Sequence, residues 1–318
     1  MQLFQNNANT LTPVERNSFK LERDIQSLVE TNMEVIFGIE FVSTELTVGE
    51  FRLDSLAFDQ QNNSFVIVEY KKGHSYSVVD QGYSYLSVML NNKAEFILEY
   101  NEKTETNLKR IDVDWSSSKV IFVSPSFNTY QKNSVNFRDV PFELWEIKRF
   151  DGGLVSFEQC KSSSTESIEK LSKGDDRSVI SKVSSEIKVL SEEDHTGNLS
   201  DQLKPIWTTL REKLESYADT SFFITKGYIS WKRDNTAVCF IHFRKKELRI
   251  DVLRGNIRED QSKSKGFFTL DDPKEMAEEG GWKWKSGQSG HDYKIRLKNQ
   301  DASDYVMFLL EQKYNSLG

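Results

Sequence analysis

Apolar and polar positions alternate with two distinct periods along the chain. From about Ser18 to Phe37, the positions Leu21, Ile25, Leu28, Val29, Asn32 and Ile36 follow a spacing close to 3.6, and Gly38 follows as a stop. This predicts a helix that lays one face on a sheet. Period-two runs come next, at Ile39–Leu46, Glu50–Phe58 and Ser64–Lys71, the last two joined by the turn-rich DQQNN, so a meander is expected. Val78–Leu90 predicts a second helix, with apolar residues at 78, 79, 86, 89 and 90. A strand at Lys119–Ser124 and a hairpin, FELWEIKRF then DGG then LVSFEQ, close a first domain over residues 1–160.

From Lys161 to about Leu199 the pattern gives way to Ser, Lys and Glu without an aromatic residue, although Val179–Leu190 keeps a weak helical period. Residues 161–200 therefore predict a polar, partly helical linker. Beyond it, a helix over about Asp201–Tyr217, strands near 221–224, 227–232, 236–243 and 247–253, a Gly-rich polar stretch, a strand at 292–297 and a closing helix over 301–314 predict a smaller α+β domain spanning 201–318.

Composition narrows the class. A chain of 318 residues exceeds what one core usually organises, and 37% hydrophobic against 29% charged residues describes a folded, polar protein. There is neither an eighteen-residue apolar run nor a basic-then-apolar start, so no membrane span or secretion signal is expected, and the cytoplasm is the expected location. Cys160 and Cys239 stand far apart without CxxC spacing, and His74, His195, His242 and His291 are scattered, which disfavours disulfides and structural zinc. The net charge of −7 argues against coating nucleic acid by bulk basicity and leaves room only for a local basic groove. Phosphate-loop and GxSxG motifs are absent.

The segment from Gly49 to Gly73 carries the candidate chemistry. If Phe58 faces Phe65 across the turn, the register sets Asp54 opposite Glu69 and Arg52 opposite Lys71, with Cβ atoms roughly 4.5–5.5 Å apart. Alternation turns Tyr70 to the other face. Like charges facing each other in a sheet are destabilising, and a divalent cation removes that conflict: Mg²⁺ takes oxygen ligands, and one or two carboxylates with water and phosphate suffice. Lys71 can then orient the attacking water or steady charge on phosphate. The competing reading is a solvated strand face with diagonal pairs, Asp54 to Lys71 and Arg52 to Glu69. On the first helix Glu22 borders the buried stripe, with Glu30 as the alternative acid. On the second, Gln81 and Tyr85 lie four apart on one face and need partners if buried, a carboxylate, a phosphate or a local backbone group.

A helix glutamate, an aspartate in a G-x-x-x-D strand, Glu69-Tyr70-Lys71 and Gln81-x-x-x-Tyr85, in that order, resemble the PD-(D/E)XK nucleases of the RecB, lambda-exonuclease and archaeal mismatch-endonuclease kind. The resemblance covers roughly residues 18–160. It implies an α/β restriction-endonuclease-like domain, a mixed central sheet flanked by helices, that hydrolyses DNA with Mg²⁺ or Mn²⁺ in repair or defence. It further implies metal ligation by Asp54, Glu69 and the Tyr70 carbonyl, catalysis by these carboxylates with Lys71 and Glu22, and substrate contacts from Gln81 and Tyr85; Arg52 is added as a substrate-binding candidate. Leu53 stands where the superfamily has its proline. The second half resembles an uncharacterised bacterial domain found fused behind such nucleases and labelled only as predicted transport protein.

In that half, Lys226, Lys232, Arg233, Arg244, Lys245, Lys246 and Arg249 lie among Phe222, Phe223, Tyr228, Trp231, Phe240 and Phe243, compatible with a nucleic-acid groove or with a solvated face over an aromatic core. GGWKWKSGQSGHDYK, with Trp282, Trp284 and His291, reads as a binding loop or as a loop packing its indoles, and His74 as a substrate contact or an exposed loop residue. The expected partner is DNA, with a homodimer or protein partner compatible with the acidic total. The alternative function is a catalytically silent nuclease-fold module that binds nucleic acid or protein.

Overall fold

The computed structural model describes residues 2–73, 77–137, 139–160, 164, 166, 179–197, 199–234, 236–255, 266–283 and 289–317. His74, Trp284 and most of the stretch 161–178 lie outside the described residues, and the side chain of Trp282 does too. The chain divides into two compact units, Met1–Val189 and Leu190–Gly318. None of the described helices is long and apolar enough to cross a membrane.

The first unit is built on a mixed sheet. Strands β4 (Glu40–Val48), β5 (Phe51–Asp59) and β6 (Ser64–Tyr70) form the antiparallel meander expected from the alternation. Helices α3 (Val78–Asn91) and α4 (Lys93–Thr104) then carry the chain over to β7 (Lys119–Ser124), which runs parallel to β6, and after the short α5 (Thr129–Ser134) β8 (Phe142–Phe150) runs parallel to β7. β9 (Val155–Gln159) returns antiparallel to β8 through the DGG turn. Two earlier pieces complete it: the hairpin β1 (Leu3–Asn7) and β2 (Thr10–Val14), which pairs only with itself, and the short β3 (Arg16–Asn17), which pairs with the last residues of β8.

Both faces of the sheet are covered. Ile25, Val29 and Met33 pack with Ala57, Val66, Val68 and Tyr70 on one face; Leu86, Met89 and Phe96 pack with Leu56, Phe58, Phe65 and Ile67 on the other. The single helix expected over Ser18–Phe37 is two, α1 (Glu22–Thr31) and α2 (Met33–Phe37). Asn32 leaves helical geometry between them, its side-chain amide bonding the Leu28 carbonyl at 2.8 Å. Such local capping is how Asn interrupts helices. Gly38 ends α2 in the left-handed conformation, as its position predicted.

The stretch read as a linker is partly structural. Helix α6 (Val179–Glu186) lies against α3, and Val183 and Ile187 are buried in the first unit's core. The polar composition of 161–178 hid that burial, which rests on two side chains one turn apart.

In the second unit a six-stranded antiparallel sheet, in the order β10 (Thr220–Ile224), β11 (Ile229–Arg233), β12 (Thr236–Arg244), β13 (Glu247–Gly255), β15 (Ser289–Leu297) and β14 (Ala277–Lys283), carries helices α8 (Leu203–Glu215) and α9 (Ser303–Asn315) on one face, with a short α7 (Glu192–Thr196) before them. β14 falls in the Gly-rich stretch read as irregular. The mixture of basic and aromatic residues splits between faces: Phe222, Trp231 and Phe243 join the helix-side core, while Phe223 lies under Lys232 and Tyr228 packs on Phe240.

Candidate active site

The turn at Asp59 fixes the register of the site. Its carboxylate accepts the backbone N–H groups of Gln61 and Asn62 at 2.8 and 3.1 Å, and Asn63 takes a left-handed conformation, so Phe58 faces Phe65 and the ladder runs back to Ser55 opposite Val68. One step further, where Asp54 and Glu69 would meet, the ladder stops. Leu53 and Leu56 both enter the α3-side core although Ser55 points to the α1 side, so strict alternation breaks around Asp54. There the carboxylate of Asp54 takes the place of a backbone acceptor and receives the Tyr70 N–H at 3.0 Å.

Glu69 points to the α3 side, where its side chain is only 4% exposed. Its Oε1 accepts from Lys71 Nζ and from Gln81 Nε2, each at 2.7 Å. Its Oε2 is buried with no hydrogen-bond partner among the described residues. Gln81 also donates to the Tyr85 hydroxyl at 2.8 Å, and that hydroxyl in turn donates to the Arg52 carbonyl at 3.5 Å. Gly82 lets α3 come this close: a Cβ there would stand 2.5 Å from the ring of Phe142.

The electrostatics follow from burial. Burial, and after it the nearby charge of Glu69, pushes the Asp54 carboxyl up to about 6; the Tyr70 N–H and the Lys71 ammonium oppose this. Burial also raises the Tyr70 and Tyr85 phenols, which stay neutral hydrogen-bonding groups. A buried carboxylate oxygen without a donor costs free energy, on the order of 1–3 kcal/mol or more for a charged group. Among the described residues no three His, Cys, Asp or Glu side chains gather to hold a metal by themselves. The oxygens that could hold one are those of Asp54 and Glu69 with the intervening Tyr70 carbonyl, a hard donor set of the kind Mg²⁺ and Mn²⁺ take alongside water and phosphate.

The structure thus brings Asp54, Glu69, Lys71, Gln81 and Tyr85 together, and leaves out the side chain of Arg52. That guanidinium is 64% exposed and reaches diagonally from its register partner Thr47 to pair with Glu45 on the neighbouring strand; only the Arg52 carbonyl faces the cluster. Of the two helix acids, Glu22 accepts the Lys72 N–H at 2.8 Å, immediately after the E-x-K strand, and its charge reaches Asp54. Glu30 instead accepts from Ser55 Oγ at 2.6 Å, beside the Tyr70 hydroxyl, on the opposite side of the sheet from Glu69.

Gln26 was not anticipated. It lies between these acids, donating to the Asp54 carbonyl at 3.1 Å, Thr44 Oγ1 at 3.0 Å and Glu30 at 3.0 Å. The available signal was the row Glu22, Gln26, Glu30 at i, i+4, i+8 along one helix face.

No family model matches the chain. Two solved structures are partial likenesses: an EndoMS complex with double-stranded DNA, at TM-score 0.27 and 20% identity over 41% of this chain and 47% of that one, and a repair endonuclease from Pyrococcus abyssi, at TM-score 0.21 and 18% identity over 38% and 45%. The chain spans less than half the length of either. A protein of Haemophilus influenzae described as uncharacterized is 37% identical over 318 residues, 98% of this chain and 99% of its own. With that identity over almost the full length of both, the chain belongs to the same family as the Haemophilus influenzae protein.

Proposed function

We propose that the first unit is a metal-dependent deoxyribonuclease of the PD-(D/E)XK type, using Mg²⁺ or Mn²⁺ and acting in DNA repair or defence. The observation that carries this reading is the unpartnered, buried Oε2 of Glu69, next to an Asp54 whose charged form is held at a cost and an ammonium within 2.7 Å of the same glutamate. A purely structural strand end has no use for that combination.

In this reading Asp54, Glu69 and the Tyr70 carbonyl hold the cation, which when bound neutralises phosphate charge and polarises the bond to be cut. Lys71 orients the attacking water or steadies charge on the phosphate oxygens. Gln81 fixes the rotamer of Glu69 through Oε1 and leaves Oε2 for the cation, and Tyr85 fixes Gln81. Glu22 ties the chain after Lys71 to the first turn of α1.

Purified protein incubated with single- and double-stranded DNA plus Mg²⁺ or Mn²⁺, read on a gel against an EDTA control, tests the assignment. Asp54→Ala and Lys71→Ala should each reduce cleavage by at least about 100-fold while keeping a cooperative thermal transition. Full activity in both variants refutes the site. One observation favours a silent binding module instead: Lys71 already neutralises Glu69 without any cation. That reading requires DNA binding with no metal-dependent cleavage by the wild-type protein.

A further inference from the structure

The β1–β2 hairpin is well formed yet packs on almost nothing. Five residue pairs close it, Ala8 and Asn9 supply the left-handed tip, and all its residues except the half-buried Leu3 and Val14 are exposed. A lone two-stranded ribbon is marginal in water, so this one is built to meet something else. From Gln2 to Val14 it carries no charged side chain. One face presents Gln5, Asn7, Thr10 and Thr12; the other presents Phe4 and Leu11, 48% and 60% exposed.

Topology fixes where it stands. β6, β7 and β8 are parallel, and Lys71 lies at their C-terminal end, level with Ser124 and Glu146, with Glu69 two residues further in, level with Phe122 and Leu144. β9 occupies one edge of β8, so β3, pairing with Arg149 and Phe150, continues the column of β7 beyond its end, and Arg16 reaches back to the Pro125 carbonyl at 3.2 Å. The root of the hairpin is therefore one strand across from the candidate site. It stands about 10–13 Å further out, taking three to four residues at ~3.3 Å each. β2 leads away from β3 in the same outward direction. On the α1 side of this root runs a groove whose charged lining is Lys20, Arg23, Arg149 and Asp24; Asp24 caps α1 by accepting the Leu21 N–H, and the three cations form no ion pair among the described residues.

We propose that the hairpin is an arm that enters a groove of duplex DNA whose scissile phosphate lies at Asp54, Glu69 and Lys71, while Lys20, Arg23 and Arg149 hold the intervening backbone. The inference rests on the nuclease reading above. Duplex grooves admit a two-stranded ribbon, and amide side chains bond adenine edges there. A segment without charge releases no counterions from phosphates, whereas the cations between it and the site do, so the two parts differ in salt dependence. A ribbon of five residues spans about 17 Å, enough to cross from root to groove within a fraction of one duplex turn of ~34 Å.

The test uses the full chain and a fluorescein-labelled 30-base-pair duplex. Anisotropy is followed in EDTA across a salt series, and cleavage in Mg²⁺. The quadruple variant Gln5→Ala, Asn7→Ala, Thr10→Ala, Thr12→Ala should weaken duplex binding about 10-fold or more, leave the slope of log affinity against log salt unchanged, and leave binding to the matching single strand unchanged. Lys20→Ala, Arg23→Ala, Arg149→Ala should instead flatten that slope by about two to three. Duplex binding and cleavage by the quadruple variant equal to wild type would overturn the arm and leave the nuclease reading standing. So would a wild-type dimer by light scattering that Phe4→Asp with Leu11→Asp converts to a monomer of unchanged DNA affinity, which would make the hairpin an interface between copies. A wild-type protein that neither binds nor cuts the duplex sinks both.

Discussion

Asp54 is the residue on which the local chemistry turns, and its position carries a thermodynamic signature. In the folded, metal-free protein its carboxyl titrates at about 6, against 3.8 in an unfolded chain. Above pH 6 both states are ionised and the folded state bears the whole cost of the buried charge. Between 6 and 4 the folded state takes up its proton first, and the cost shrinks; below 4 it is gone. Asp54→Asn should therefore stabilise the metal-free protein at pH 8, by about 1–2 kcal/mol once the partial exposure of the group is allowed for. The gain should disappear near pH 4. Denaturant melts in EDTA at the two pH values measure this, and a variant no more stable than wild type at pH 8 contradicts it.

Much of this site could be read from residue order, because its members belong to two short, regular pieces. Glu69, Tyr70 and Lys71 alternate along one strand, and Gln81 and Tyr85 repeat along one helix, so period alone gave their faces. Arg52 and Gln26 were misread or missed for opposite reasons. The break in alternation at Asp54 takes the Arg52 side chain off the face that the period assigns, and such a break leaves no mark in the sequence. Besides Glu30 one turn along its own helix, Gln26 bonds a carbonyl of β5 and a hydroxyl of β4, which only folding brings near it.

Among the elements, α3 has the tightest requirement. It must lie close enough for Gln81 to touch Glu69, and Gly82 is what permits that approach to Phe142. Replacing Gly82 by Ala adds about 1 kcal/mol of helix propensity but places a methyl inside the ring of a buried phenylalanine, for which overpacking costs of about 1–3 kcal/mol are usual. A net loss of stability is expected, with cleavage reduced more than stability alone accounts for, since displacing α3 loosens the Gln81–Glu69 bond. Calorimetry together with cleavage rates below the transition checks it. An unchanged melting temperature with unchanged rate removes the packing argument.

Elements that escaped notice share a cause. α4 buries only Phe96 and Tyr100 among twelve residues, β14 interrupts its alternation with Glu and paired Gly, and the first hairpin buries almost nothing, so none gives a strong period. Amphipathic pattern records burial against a core. Where a segment is held instead by neighbouring strands or by a turn, the pattern is silent.

At the scale of the whole chain, the boundary after Cys160 suggested by composition and the one shown by packing differ by about one helix. Val183 and Ile187 complete the core beneath α3, so a first unit cut at residue 160 loses two buried side chains and one cut at residue 189 keeps them. The shorter fragment should be less stable by about 2–5 kcal/mol, from the loss of two aliphatic contacts. Equal urea midpoints for fragments 1–160 and 1–189 would show that α6 contributes nothing.

One oxygen of Glu69 is already doubly engaged, by an amine on one side and an amide on the other, and its twin has no hydrogen-bond partner among the described residues. A newcomer must therefore displace whatever packs over that buried oxygen, and whatever its charge it meets a side chain that two hydrogen bonds hold in place. Selectivity at such a spot comes from rigidity rather than from affinity, because a visitor of the wrong radius finds the acid unable to follow.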